Sequence, residues 1–200
     1  IDNNSEKIKQ INLGISPIHE EGIERLLKEN LKKNLFKAAE KADQFLYNSD
    51  VSIIAVGTPF LNGRYDLSQI EKVSENIGKK LYKIKKYHVI CVKSTVPPGT
   101  TSSLVSATIG KNTNLKKGVD YGLSMNPEFL AEGTAIKNFM NPDRIVIGGI
   151  DENSTTLIKK LYSKFNSSQF IITNLETAEM IKYSSNSFLA TCISFSNEIL

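Results

Sequence analysis

Two hundred residues, 40% of them hydrophobic and 23% charged, describe a soluble globular chain, long enough for one sizeable core and an appended element. The net charge of +4 is spread along the chain with no arginine-rich arm and no interleaved aromatic and basic platform, which argues against a nucleic-acid-binding role and leaves an anionic small ligand compatible. The isolated Cys91, Cys192, His19 and His88 have no metal-ligand spacing, so the expectation is no metal, a reduced intracellular chain, and histidines at the surface or at helix ends.

In chain order, Ile1-Asp2 reads as the end of a strand, with an acid where a dinucleotide fold holds a ribose. Helix-period patterns follow at 5–12, 23–31 and 38–46. A short β-branched run at 51–56 predicts a strand ending in Val56-Gly57-Thr58-Pro59, and Asp66 is placed as the N-cap of a helix over 67–84. The densest basic run, 79–86, falls in this otherwise helical pattern and reads as a solvated face.

Strands are predicted again at 89–92, 121–125 and 144–148, all read as buried and parallel. A helix over 154–165 places Leu157, Ile158, Leu161 and Phe165 on one face. From about Asn174 a long helical pattern runs to Leu200, with Ala178, Ile181, Ser185, Phe188, Leu189, Cys192 and Phe195 in an apolar stripe. Alternating strands and helices predict an α/β fold, a doubly wound, Rossmann-like, mostly parallel sheet, followed by a long helix. The apolar runs are strand-sized and the amino terminus has no export pattern, so no membrane segment and a cytoplasmic location are expected.

Ligands of such sheets bind at the carboxyl ends of the strands. Gly57-Thr58-Pro59, Ser94-Thr95-Val96-Pro97 and Asn126-Pro127-Glu128 follow the strands at 51, 89 and 121, so three strand ends are expected at one crevice edge. Taken singly, each of these residues has a plainer reading. Lys182 suits a solvated helix face, Asn186 a polar surface, Glu128 a helix N-terminus and Thr95 a turn before Pro97.

Together, Val56-Gly57-Thr58-Pro59, Lys93-Ser94-Thr95-Val96-Pro97-Pro98-Gly99-Thr100-Thr101, Asn126-Pro127-Glu128-Phe129-Leu130-Ala131-Glu132-Gly133 with Asn141-Pro142-Asp143-Arg144, and Lys182-Tyr183-Ser184-Ser185-Asn186 resemble the UDP-glucose/GDP-mannose dehydrogenase family. The resemblance covers the whole chain. It implies a NAD-binding Rossmann-like domain over 1–172, lacking a first strand and its Gly-rich turn, and the start of a long dimerising helix over 173–200. The implied reaction oxidises C6 of a nucleotide-linked hexose to a carboxylate, using NAD twice and a cysteine thioester.

By similarity Glu128 is the acid/base, Lys182 supplies positive charge to the developing oxyanion, Asn186 shares its helix face, and Thr95 orients a water or hydroxyl. NAD contacts carried over are Asp2, Lys7, Val56, Gly57, Thr58, Pro59, Phe60, Ser94, Thr95, Val96 and Glu132. Substrate contacts are Glu128, Phe129, Leu130, Ala131, Glu132, Lys182 and Asn186. The family's Gly-rich cysteine motif does not occur here, and neither Cys91 nor Cys192 is assigned to catalysis. The chain alone is therefore expected to be inactive. Ala131-Glu132-Gly133 leans toward UDP-glucose as substrate; GDP-mannose, a non-catalytic binding or dimerisation module, and a simple 2-hydroxy acid or 6-phosphogluconate-type dehydrogenase remain alternatives. A homodimer or higher homo-oligomer through the long helix is implied.

Overall fold

The computed structural model describes residues 1–165 and 169–200. The chain divides into two compact units, one of 1–46 with 129–142 and the other of 47–128 with 143–200.

In the first unit, helices α1 (Ser5–Asn12) and α2 (Ile23–Lys32) form where the sequence period predicts them. Asn4 caps α1, its side chain accepting from the Lys7 amide at 2.9 Å. The expected helix over 38–46 is not formed as such; only α3 (Asp43–Asn48) is helical. The Asn12 carboxamide holds Ala38 out of the helix by taking its N–H at 3.0 Å and donating to its carbonyl at 2.9 Å. Further along, in α6 (Ala135–Met140), the first turn is satisfied from far away in sequence. Glu20 accepts from Gly133 N at 2.7 Å and from Ala135 N at 3.2 Å.

The second unit is built on a five-stranded sheet in the order β1 (Val51–Ile54), β4 (His88–Val92), β5 (Tyr121–Met125), β6 (Arg144–Gly149), β7 (Gln169–Thr173). All five residues of β4 and of β5 are buried, and the polar ones, His88 and Ser124, bond within the protein. The pairs β1–β4, β4–β5 and β6–β7 are parallel. One expectation is corrected here: β6 runs antiparallel to β5, with Ser124 opposite Gly149 and Met125 opposite Gly148. An antiparallel return needs no crossover helix across the sheet, so the segment after β5 is released from that task. Strand β7 lies outside the predicted strands.

Helix α7 (Glu152–Leu161) packs on β4, β5 and β6 over a core of Val89, Cys91, Ile145, Ile147, Ile158 and Tyr162. It starts earlier than expected because Asp151 is its N-cap, accepting from Ser154 N at 2.7 Å. Helix α4 (Ser68–Leu81) ends short of the expected 84, so Lys83 leaves the helix and Lys85 and Lys86 lie well beyond it. Asp66 accepts from the Ser68 amide at 2.9 Å, a capping bond made from one residue before Leu67, the actual N-cap. Helix α6 lies outside the predicted elements, as do two further features of this unit. One is the hairpin β2 (Phe60–Leu61) and β3 (Arg64–Tyr65), turned by Asn62 and Gly63 at φ 51° and 76°. The other is a π-helical turn, Thr101–Val105, leading into α5 (Ser106–Lys111).

The long helix α8 (Leu175–Ile199) packs on β5 and β6 through its first turns, with Leu175, Ala178, Glu179 and Lys182 buried. Gly148 permits that approach, since a Cβ there would lie 2.6 Å from the Asn174 carbonyl oxygen and 2.8 Å from the Ala178 Cβ. The distal part of the apolar stripe, including Phe188, Leu189 and Phe195, is exposed, as is Cys192.

His88 also departs from expectation. It lies 1% exposed in β4 rather than at the surface. Its Nδ1 lies 3.1 Å from the Ser49 carbonyl oxygen, so Nδ1 carries the proton and Nε2 accepts from the Ser52 hydroxyl at 2.8 Å. Burial lowers its pKa below the usual 6.5. The unfolded chain then binds the extra proton first as acid is added, so this contribution to stability is present above 6.5 and is lost as the pH falls through the folded value. Denaturant midpoints between pH 7.5 and 5 are expected to fall more steeply for the wild type than for His88→Phe; equal slopes would contradict the assignment.

Candidate active site

Strands β1, β4 and β5 lie side by side and parallel, so the loops that leave their carboxyl ends are neighbours on one edge of the sheet. Hydroxyls tie the first two together. Ser94 Oγ accepts from Val56 N at 2.8 Å and donates to the Val56 carbonyl at 2.7 Å, while Thr58 Oγ1 donates to the Thr95 carbonyl at 2.6 Å. The Ser94 hydroxyl is thus engaged within the protein, and Val96 is buried. Thr95 is half-buried, whereas Gly57, Pro59 and Phe60 are exposed.

The third loop brings two of the expected residues into contact. Glu128, two residues past the buried Asn126, meets Lys182 of α8, with Oε1 and Nζ 3.0 Å apart. The lysine side chain is 7% exposed and the carboxylate 31%, so solvent screens this pair less than a surface ion pair. Asn186 sits one turn further along α8 and is exposed. Arg144 reaches the same helix, its guanidinium 3.4 Å from Ser185 Oγ. The ring of Tyr183, beside Lys182, meets Tyr65 of the hairpin edge-on with centroids 5.8 Å apart. A carboxylate and an ammonium held this way can accept a proton and stabilise a developing anion.

Asp2, Lys7, Phe129, Leu130, Ala131 and Glu132 belong to the other unit. There Asp2 pairs with Lys7 at 3.1 Å and accepts from Asn4 N at 3.0 Å. These contacts, the Asn4 amide first, hold the Asp2 carboxyl below its ordinary value. Leu130, Ala131 and Glu132 are exposed.

Three residues near the expected ones went unassigned from sequence. Lys93, at the end of β4, donates to Asn126 Oδ1 and to the Asn126 carbonyl. Asn126 itself donates to the Val146 carbonyl at 2.8 Å. Glu179, three residues before Lys182, is wholly buried and accepts from Gly99 N at 2.5 Å, Thr101 N at 2.8 Å and Thr101 Oγ1 at 2.6 Å. It therefore ties the loop after Thr95 to the helix that carries Lys182. Burial raises the Glu179 pKa against the pull of those donors. Glu179→Ala would leave the Thr101 amide buried without an acceptor, and a loss of about 2–3 kcal/mol is expected in urea unfolding. A change under about 0.5 kcal/mol would show that the clamp contributes little.

Burial at Cys91 disfavours the thiolate that a nucleophile needs. Burial pushes the Cys91 thiol up to about 12, and Cys192 is exposed on α8. Among the described residues no group of three or more His, Cys, Asp and Glu side chains is set to hold a metal ion. Among the described residues no helix is long and apolar enough to cross a membrane.

A doubly wound sheet with its polar groups gathered at the strand ends is the architecture of a dinucleotide-dependent dehydrogenase domain. Residues 1–166 match the UDP-glucose/GDP-mannose dehydrogenase family, NAD binding domain, and the chain belongs to that family. It is 39% identical over 205 residues to UDP-glucose 6-dehydrogenase of Rickettsia conorii, which covers 100% of this chain and 44% of that protein. It is 40% identical over 200 residues to GDP-mannose 6-dehydrogenase of Pseudomonas putida, covering 100% of this chain and 45% of the relative. A crystal structure of a ternary complex of GDP-mannose dehydrogenase from Pseudomonas aeruginosa superposes with a TM-score of 0.95 at 39% identity, over 99% of this chain and 45% of that one. The chain thus spans less than half the length of these relatives. NAD is the cofactor of this domain.

The residues fit that group. A Cβ at Gly57 would meet nothing within 4 Å, so the backbone after β1 is open to close approach by a flat or phosphorylated ligand. The Asp2 carboxylate, about one-third exposed, is an acceptor of the type that ribose hydroxyls require.

Proposed function

We propose that the protein carrying this chain is a NAD-dependent nucleotide-sugar 6-dehydrogenase that oxidises the C6 hydroxyl of UDP-glucose to the carboxylate. The observation that carries this reading is the Glu128–Lys182 pair, 3.0 Å apart beyond the carboxyl end of β5. Bound NAD supplies the hydride acceptor for each oxidation. Asp2 and Lys7 would hold its ribose end, and Val56, Gly57, Thr58, Pro59, Phe60, Ser94, Thr95, Val96 and Glu132 would line it. Lys182 would hold the substrate oxygen as negative charge develops on it, and Asn186, one turn along the same helix, would bind the sugar with Phe129, Leu130, Ala131 and Glu132.

In the final step a water, oriented by Thr95, attacks the carbonyl carbon of a thioester on a cysteine outside these residues. Glu128 takes the water's proton, the new C–O bond forms, and the C–S bond breaks with the sulfur leaving as thiolate. Residues 1–172 would serve as the NAD-binding domain and 173–200 as the start of a dimerising helix, whose exposed Phe188, Leu189 and Phe195 suit an apolar partner surface. The protein would work in the cytoplasm.

Ala131-Glu132-Gly133 supports UDP-glucose as the sugar nucleotide. GDP-mannose is the second reading, favoured by the TM-score of 0.95 to a GDP-mannose dehydrogenase. Rates of NADH formation with each sugar nucleotide separate the two, and a preference for GDP-mannose would replace the first reading with the second.

Because Cys192 lies on the apolar stripe of α8 and takes no chemical part in this reading, Cys192→Ser should leave turnover within a few-fold of wild type. A loss on the order of a thousandfold would identify it as the nucleophile instead. A melting measurement on the same sample separates that outcome from loss of fold.

A further inference from the structure

We propose that Lys93 is a positioning residue: its ammonium, docked on Asn126 and the Tyr162 hydroxyl, fixes the turn that presents Glu128 to Lys182. The inference rests on the reading of Glu128 as the acid/base of the site.

Donors and acceptors around Lys93 balance. Its Nζ lies 3.1 Å from Asn126 Oδ1, 3.3 Å from the Asn126 carbonyl oxygen and 3.3 Å from Tyr162 Oη. Tyr162 donates its own proton to Asn126 Oδ1 at 2.5 Å, so its oxygen is left to accept from the lysine. Three ammonium hydrogens therefore meet three acceptors. Asn126 is in turn fixed from its other side, taking the Val92 carbonyl with its backbone N–H at 2.9 Å and the Val146 carbonyl with Nδ2 at 2.8 Å. The turn leading to Glu128 is thus held by β4, β6 and α7 at once, and Lys93 is the charged member of that network.

A half-buried lysine bound only to neutral groups is costly, and packing alone does not call for one. Among the described residues no carboxylate lies within ion-pair distance of Lys93. Cys91 on its own strand, Glu128 beyond β5, Tyr162 on the α7 side and Lys182 on α8 are the titratable groups that face it. Burial, reinforced by repulsion from Lys182, lowers the Lys93 pKa, and Cys91 and Glu128 oppose that shift. Once neutral, the amine has two hydrogens for three acceptors and no charge, so the turn should loosen as the pH rises.

Lys93→Met in the protein that carries this chain keeps the stem and removes the ammonium. It should lower kcat by about ten- to a hundredfold, with KM for the sugar nucleotide within a few-fold, and the alkaline limb of the kcat profile should disappear. Lys93→Arg, which does not titrate in this range, should move that limb to higher pH. Wild-type kcat in Lys93→Met, or an unmoved alkaline limb in either variant, would overturn the inference.

Should both variants fail to fold, the unmutated protein still decides. Its hydrogen-exchange protection over residues 126–130 should fall at alkaline pH after correction for intrinsic exchange; constant protection overturns the positioning role. Glu128→Gln separates the two readings. Wild-type turnover there would remove Glu128 as acid/base, while the protection measurement would still judge what Lys93 holds.

Discussion

Glu128→Gln in the protein that carries this chain is expected to accumulate a covalent sugar-nucleotide adduct. The substitution keeps the side chain's size and leaves an amide that can still meet Lys182, now 3.0 Å from the carboxylate. What it removes is the proton acceptor for the attacking water. Loss of one positioned acid/base costs about a hundred- to ten-thousandfold, enough to make thioester hydrolysis the slow step even if hydride transfer is also impaired. Intact-protein mass spectrometry after mixing with UDP-glucose and NAD should show the added mass on a cysteine outside these residues. Wild-type turnover with no adduct would reduce Glu128 to a structural partner of Lys182.

Lys182→Met is expected to reduce turnover by about a hundred- to a thousandfold, the cost typical of losing one preorganised group aimed at a developing oxyanion. Methionine preserves the buried stem, which matters because Lys182 is only 5% exposed in the packed half of α8. Binding of the ground-state sugar nucleotide should change less than turnover, since the charge is needed most when the oxygen becomes negative. Steady-state kinetics with a melting curve on the same preparation checks both statements. A loss of less than tenfold would show that Lys182 serves mainly to neutralise Glu128.

Much of the fold was legible because local pattern and tertiary role agree. The run at 89–92 is apolar throughout, and β4 is buried at every residue; the period from Asn174 onward became the 25-residue α8 with that asparagine as its cap. Errors arose where distant groups decide. Asn12 draws Ala38 out of a plausible helix, and Glu20 caps a helix whose first residue is Ala135, neither of which leaves a local trace. The antiparallel entry of β6 is equally hidden, since buried strands of either direction share one composition. The Asn62-Gly63 turn did carry a signal, but strands of two residues on either side are too short to show alternation.

The candidate site divides the same way. Glu128 and Lys182 were singled out by motif, and their contact is in the structure. Lys93 heads the run Lys93-Ser94-Thr95-Val96-Pro97 yet its part is hidden there, because a lysine at a strand end reads as exposed until its buried acceptors are known. Glu179 was hidden for a related reason: a glutamate on a helix reads as solvated unless the loop that covers it is in view.

Counting NADH formed against sugar nucleotide consumed tests the central proposal most directly. Oxidation of a primary alcohol to a carboxylate removes two hydrides, so the protein that carries this chain should form two NADH for each UDP-glucose and release UDP-glucuronate. No NADH formation with any nucleotide sugar, from a folded sample that binds NAD, would contradict it.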